Sequence, residues 1–276
     1  LLILLNYKRF WNKLINLLDT NIKQKYSKKE IKDNIKVATT VTKIIKILDK
    51  EGLEYGTFKI NLYKSGSTEE ELSRLRAYTY NLEDGKVVDY KMKRENRFET
   101  EVNDSWDQMA ISMPNVKEGS VVEITYKLIS PFASSIDDVI IQEDIPTASF
   151  HASIKIPQYF NTRRMVKGNF NVNPNDSERR RNISFKSGGG TSNVAMNETV
   201  HDYTYKDIPA LKEESYVDNI NNYRYSIAYE IISVQNNSGG IKKLATTWEQ
   251  VAKSINDSKY FGDEIKRTRM LVDDAE

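Results

Sequence analysis

The chain contains no cysteine and only two histidines in 276 residues. The first absence removes disulfides, thiolate nucleophiles and thiolate metal sites together. The second leaves His151 and His201 as the sole imidazoles, with no H-E-x-x-H pattern to build a zinc centre. There is no G-x-S-x-G elbow to present a serine nucleophile either. Charge of one sign is also missing. Lys plus Arg is 41 against 39 for Asp plus Glu, and a net charge of +2 offers no field for nucleic acid. The basic runs Arg179–Arg181 and Lys91–Arg97 are interrupted or flanked by acids, and read as solvated loops and strand faces. No apolar run reaches the ~20 residues of a membrane-spanning helix. Leu1–Leu5 is followed at once by Asn6, Lys8 and Arg9, with no small-residue cleavage pattern behind it. Residues 1–34 are therefore read as a leader, helical at first through Leu14, Leu17 and Leu18, and then rich in lysine. The start carries no initiating Met and is read as truncated.

What is present has a period of two. Val37, Thr39, Val41, Lys43, Ile45 and Ile47 fall on one strand face, rich in branched residues. Asp49–Gly52 reads as a turn, and Leu53–Tyr63 returns with Phe58, Ile60 and Leu62 on one side, so these two segments are expected to form a hairpin. A second hairpin is expected where Arg76–Leu82 and Lys86–Met92 flank Glu83-Asp84-Gly85, because Asp-Gly tolerates the positive φ angles of a tight turn. Trp106–Met113, then Ser120–Ile129 after the turn Pro114–Gly119, continue the series. So do Val139–Ile145, Ser149–Ile156, Arg163–Val172, Arg181–Lys186, Val194–Tyr205 and Tyr223–Val234. All six prolines, at 114, 131, 146, 157, 174 and 209, lie between these runs, where no ladder N–H is required. Many short strands without alternating helices predict an all-β chain, specifically an antiparallel β-sandwich over residues 35–240.

The tail changes character. Thr247 is a candidate N-cap for a helix over Thr247–Ile255, with Trp248, Val251, Ala252 and Ile255 on one face. A second helical start follows at Asp263–Leu271. So short a helix is not stable alone in water, so it is expected to dock, at least in part, on the β core through Trp248.

The residues carry little chemistry. His201 precedes Asp202, but neighbours in a strand point to opposite faces, so no dyad is expected. Asn173–Glu178 (NPNDSE) is rich in oxygen but lacks the order of a calcium loop. Gly188-Gly189-Gly190 lacks the G-K-[ST] of a phosphate cradle and reads as a hairpin loop. Tyr78, Tyr80 and Tyr90, and separately Tyr203, Tyr205, Tyr223, Tyr225 and Tyr229, suit core and cross-strand packing first and a sugar-stacking surface second. No catalytic, cofactor-binding or metal-binding residue is assigned, and no cofactor is expected.

Three groups of segments resemble one family. They are Ile45–Gly52 (IKILDKEG), then Met113–Phe132 with Gln142-Glu143-Asp144-Ile145-Pro146 and Ile154–Pro157, and last Asp207–Glu214 (DIPALKEE), Tyr225–Ile232 and Thr247–Gly262. In that order they resemble a bacterial domain of unknown function found N-terminal to transglutaminase-like domains in exported proteins of Gram-negative bacteria. The resemblance covers roughly residues 40–265. It implies an antiparallel β-sandwich, a periplasmic or cell-surface location, and a papain-type Cys-His-Asp domain downstream. Residues 241–276 then read as the helical threshold of that domain. The function so implied is a non-catalytic interaction or scaffold domain, with a peptide or the downstream domain as partner and no transmembrane segment. A glycan-binding module is the alternative.

Overall fold

The computed structural model describes residues 21–24, 36–132, 136–169, 171, 173–187, 190–212, 215–235, 240–243 and 247–257. Of the expected leader, only Asn21–Gln24 fall among them. The second helical start at Asp263–Leu271 lies outside them.

Sixteen strands and one α-helix are formed by the described residues. The first eight strands are β1 (Asn21–Gln24), β2 (Val37–Lys46), β3 (Thr57–Ser65), β4 (Thr68–Glu69), β5 (Glu71–Glu83), β6 (Lys86–Lys91), β7 (Arg97–Asn103) and β8 (Trp106–Ser112). They are followed by β9 (Val121–Ser130), β10 (Val139–Ile140), β11 (Thr147–Pro157), β12 (Phe160–Lys167), β13 (Asn175–Ser187), β14 (Gly190–Ile208), β15 (Ser226–Gln235) and β16 (Ile241–Lys243). The helix α1 spans Trp248–Asn256.

The all-β expectation holds, but the β-sandwich does not. The strands divide among four small sheets, not two stacked layers. Two of these sets, β13-β14-β11 and β2-β9-β5-β6, are joined only through β1, which runs parallel to β11 and antiparallel to β2. The others are β4-β3-β8-β7 and β10-β15-β12, with β16 on β15. The physical reason for the difference is simple. Alternation reports that a strand has one buried face, and says nothing of how many sheets share the burial.

The same limit explains a second correction. β2 and β3 were expected to pair, yet β2 pairs with β1 and β9 while β3 pairs with β4 and β8. Between them Glu51–Gly56 forms a 3-10 turn, which carries the chain from one sheet into another. The Asp84-Gly85 hairpin does form. φ is +48° at Asp84 and +76° at Gly85, and β5 pairs with β6 down to Glu83 opposite Lys86.

By contact the chain divides into two compact units, residues 1–158 with 164–229, and 159–163 with 230–276. The core of the first lies between β2-β9-β5 and β3-β8. Ile45, Ile47, Ala77, Val122 and Ile124 meet Ile60, Leu62, Ile111 and Met113 there. The turn Pro114–Gly119 is clamped onto this core by a polar network. Asn81 donates from Nδ2 to Asn115 O (2.9 Å), Ser120 donates to Asn81 Oδ1 (2.5 Å), and Lys117 N–H donates to Ser120 Oγ (2.8 Å). Each buried polar group thereby finds a partner, as burial away from water demands.

In the second unit, the Val251 N–H donates to the Thr247 carbonyl (3.1 Å), which places Thr247 at the N-cap as expected. Among the described residues nothing covers Trp248 as the docking expectation required. Trp248 is 85% exposed and Ile255 48% exposed. Trp248→Ala should therefore shift the melting temperature by no more than an ordinary surface change, about 0.5 kcal/mol or less. A loss of several kcal/mol in thermal unfolding would show that the indole is packed after all.

Candidate functional site

A cavity of about 720 Å3 opens beside the first unit's core. Its floor is the inner face of β2 and β9, where the alternation sets Val41, Lys43 and Ile45 beside Leu128, Tyr126 and Ile124. One wall is the 3-10 turn and the start of β3, with Tyr55 and Phe58. The other is the segment 137–149, and Lys212 completes the lining.

That second wall is irregular, and side chains and carbonyls outside a regular ladder hold it. Val139–Ile145 was expected to be a strand, but only Val139 and Ile140 pair, with Ile227 and Ser226. Beyond them the Ile141 and Gln142 N–H groups both donate to Tyr225 O (2.9 and 3.1 Å). The buried Gln142 side chain donates to Pro209 O (3.0 Å) and accepts from Tyr225 N–H (3.3 Å), and Leu211 N–H donates to Glu143 O (2.9 Å). On the opposite wall, Ile47 N–H donates to Ser120 O and Gly119 N–H to Ile47 O (2.9 and 3.0 Å). The resembling segments Ile45–Gly52, Met113–Phe132, Gln142–Pro146 and Asp207–Lys212 therefore either line this cavity or lock its walls.

The lining is charged at its rim. Seven carboxylates, among them Asp137, Glu143 and Asp144, face four lysines, among them Lys43 and Lys212. Lys43 pairs with Glu143 at 2.8 Å. Tyr55 donates to Asp144 Oδ2 (3.0 Å). Burial, then the nearby Glu143 and Asp137 charges, pushes the Tyr126 phenol up to about 12. Burial and the Asp144 hydrogen bond do the same for Tyr55, also to about 12. Both raised values mean that the folded chain holds these protons more tightly than the unfolded chain. The stability they contribute is complete below the ordinary phenol value of about 10 and is lost as pH rises from there towards about 12. Urea midpoints should thus fall above about pH 10, and Tyr126→Phe should fall less steeply. Parallel curves for the two proteins would contradict this.

The sequence-predicted positions are mostly dispersed. His151 Nδ1 lies 3.2 Å from Thr204 Oγ1. His201 does not meet Asp202. Its Nδ1 lies 2.6 Å from Asp176 Oδ1, directly across the β13-β14 ladder. Asp176 belongs to the oxygen-rich stretch Asn173–Glu178, whose residues from Asn175 on are strand, and among the described residues no cluster suits a metal ion. Ser187 pairs with Gly190 at the end of the β13-β14 hairpin, and Gly188-Gly189 lies outside the described residues. In the arginine run Arg179 and Arg180 are exposed on a strand face as expected, and only Arg181 is largely covered. Arg181 Nη1 lies 3.7 Å and Arg179 Nε 4.0 Å from the buried carboxylate of Glu198.

Sequence reading missed a polar network around Tyr203. Its hydroxyl is 2.6 Å from that of Tyr229 and accepts from Arg164 Nη1 (3.2 Å), while Arg164 also lies 3.7 Å from Asp176. Burial and the Tyr203 hydrogen bond hold the Tyr229 phenol far above its usual range. Tyr203 and Tyr229 are buried, and Tyr205 stacks on Phe150 at 6.3 Å. Three of the eight named tyrosines thus pack, while Tyr223 is exposed. Tyr78 and Tyr80 instead stack on each other at 6.1 Å on the β5 face turned away from the core, with Tyr80 donating to Glu123 (2.8 Å).

No helix among the described residues is long and apolar enough to cross a membrane. No curated protein matches the chain. A crystal structure from Parabacteroides distasonis, described as a putative protease, is similar with a TM-score of 0.53 at 15% identity. The match covers 78% of this chain and 40% of that one, so this chain spans less than half of that protein, and the likeness is one of fold. A family described as a domain of unknown function with solved structure, DUF3857, matches residues 33–212 and ends before the last two resembling segments, Tyr225–Ile232 and Thr247–Gly262. With well over half of its length matched, the chain belongs to the DUF3857 family.

Proposed function

We propose that the chain is a non-catalytic interaction domain whose cleft holds a peptide segment for an accompanying transglutaminase-like, papain-type domain. The setting is an exported bacterial protein, in the periplasm or at the cell surface. The observation that carries this reading is the convergence of four of the resembling segments on one cavity, with an apolar floor, a charged rim and walls fixed by hydrogen bonds. Such a concave, partly apolar site with a few placed polar groups is what ligand recognition requires. Support also comes from the fold's likeness to part of a larger protein described as a putative protease. The two histidines serve the β ladders through Thr204 and Asp176, and neither lines the cleft.

Two measurements test it. The reading frame beyond Glu276 should encode a Cys, a His and an Asp in papain-like order, and a frame without them breaks the assignment. Peptide hydrolysis by the isolated chain would overturn its non-catalytic role. A glycan-binding reading draws on one observation, the stacked Tyr78–Tyr80 pair with its interplanar angle of 21°. A glycan array with no binding at about millimolar concentration, weak even by the standard of small-ligand affinities, would end it.

A further inference from the structure

Lys43 is out of place by the rules of its own strand. It stands on the inward face of β2, between Val41 and Ile45 and opposite Ile124, where an apolar residue is the norm. Its ammonium is held by Glu143 at 2.8 Å across the cavity, with both side chains only partly exposed. Around this pair the carboxylates outnumber the lysines by seven to four. Among the described residues no cation pairs with Asp144 or Asp137. Lys167, outside the lining, answers Asp138 at 2.6 Å, but the cavity still offers an apolar floor, a rim with an excess of negative charge, and one ion pair that can exchange its cation.

Resting on the peptide-holding reading above, we infer that the cleft selects extended segments in which a Lys or Arg is flanked by apolar residues. The basic side chain takes the place of Lys43 at Glu143 and is shared with Asp144, while its apolar neighbours cover Val41, Phe58 and Leu128. Exchange keeps the Glu143 carboxylate paired, and the released Lys43 ammonium, 35% exposed on a flexible stem, turns out to solvent. An acidic segment meets like charge at the rim and has only Lys43 to answer it. The selectivity is electrostatic and weakens with salt.

The test uses the 276-residue chain and three fluorescein-labelled nonapeptides with identical apolar flanks and Lys, Gln or Glu at the centre. Anisotropy titrations at low salt should rank them Lys, Gln, Glu, with Lys at least about tenfold tighter than Gln, or roughly 1.4 kcal/mol. Glu143→Gln and Asp144→Asn should each shrink that ratio towards one while binding of the Gln peptide persists. Unchanged melting temperatures confirm that each variant folds, and Asp144→Asn serves alone if Glu143→Gln does not. Equal affinity for all three peptides, or preference for Glu, overturns the charge selectivity and leaves the peptide-holding reading standing. Failure of every peptide to bind overturns that reading, and this inference with it.

Discussion

Ile124→Ala should lower stability by about 3 kcal/mol, within the 2–5 typical of a buried isoleucine truncated to alanine. Ile124 is 1% exposed and central in β9, between Lys43 of β2 and Ala77 of β5. Its side chain joins the core shared with Ile60 and Ile111 and also forms part of the cleft floor. Truncation removes methylene contacts and leaves a void that two hydrogen-bonded sheets cannot collapse to fill. In a unit of this size the melting temperature should fall by about 6–12 °C. Val87→Ala, on the exposed edge strand β6, should change it by about 1–2 °C at most. Similar losses for both would mean that the core does not lie where β2, β9 and β3 meet. Because the same side chain floors the cleft, the variant should also weaken peptide binding at temperatures where it remains folded.

Local structure was legible wherever a turn or an alternation specified it locally. The β5-β6 hairpin follows from Asp84-Gly85, whose positive φ angles the two residue types accept. β9 follows from Val122, Ile124, Tyr126 and Leu128 on one face. β7 was not legible. Its residues Arg97–Asn103 are exposed along their whole length, so no buried face leaves an alternation to read. The false pairing of β2 with β3 has a different cause. Asp49–Gly52 does mark a change of direction, but partner choice belongs to the backbone hydrogen bonds of β8 and β9, far along the chain.

The candidate site was less legible still, because it is made of distances in sequence. His201 and Asp176 are 25 positions apart and meet only through the β13-β14 register. Gln142 finds Pro209 and Tyr225 only once a loop, rather than a strand, follows Ile140. One signal was available. Lys43 interrupts an otherwise branched inward face, and its partner Glu143 lies in a segment whose resemblance to the family had already been noted. A charge on a buried face asks for a counter-charge, and the motif Gln142–Pro146 supplied it.

The wall that carries Glu143 depends in turn on a glycine. Gly168 has φ +81°, a region open to glycine and strained for other residues. A Cβ added there would lie 2.7 Å from Tyr225 Cδ1 and 2.8 Å from the Tyr223 carbonyl oxygen. The ring could turn aside, but the carbonyl belongs to the backbone that leads into β15. Gly168→Ala should therefore cost about 2–4 kcal/mol, adding backbone strain to an overpacked contact. Gly66→Ala is the control, since φ there is +62° but nothing lies within 4 Å of the added carbon. It should show the strain alone, about 1 kcal/mol. The difference between the two in chemical denaturation isolates the contact with Tyr223 and Tyr225. Tyr225 is also what Ile141 and Gln142 bond to, through its carbonyl and N–H. Gly168→Ala should thus speed amide hydrogen exchange at Ile141 and Gln142, where Gly66→Ala leaves it unchanged. Equal stability losses, or exchange at Ile141 and Gln142 untouched by Gly168→Ala, would show that the wall of the cleft does not lean on this contact.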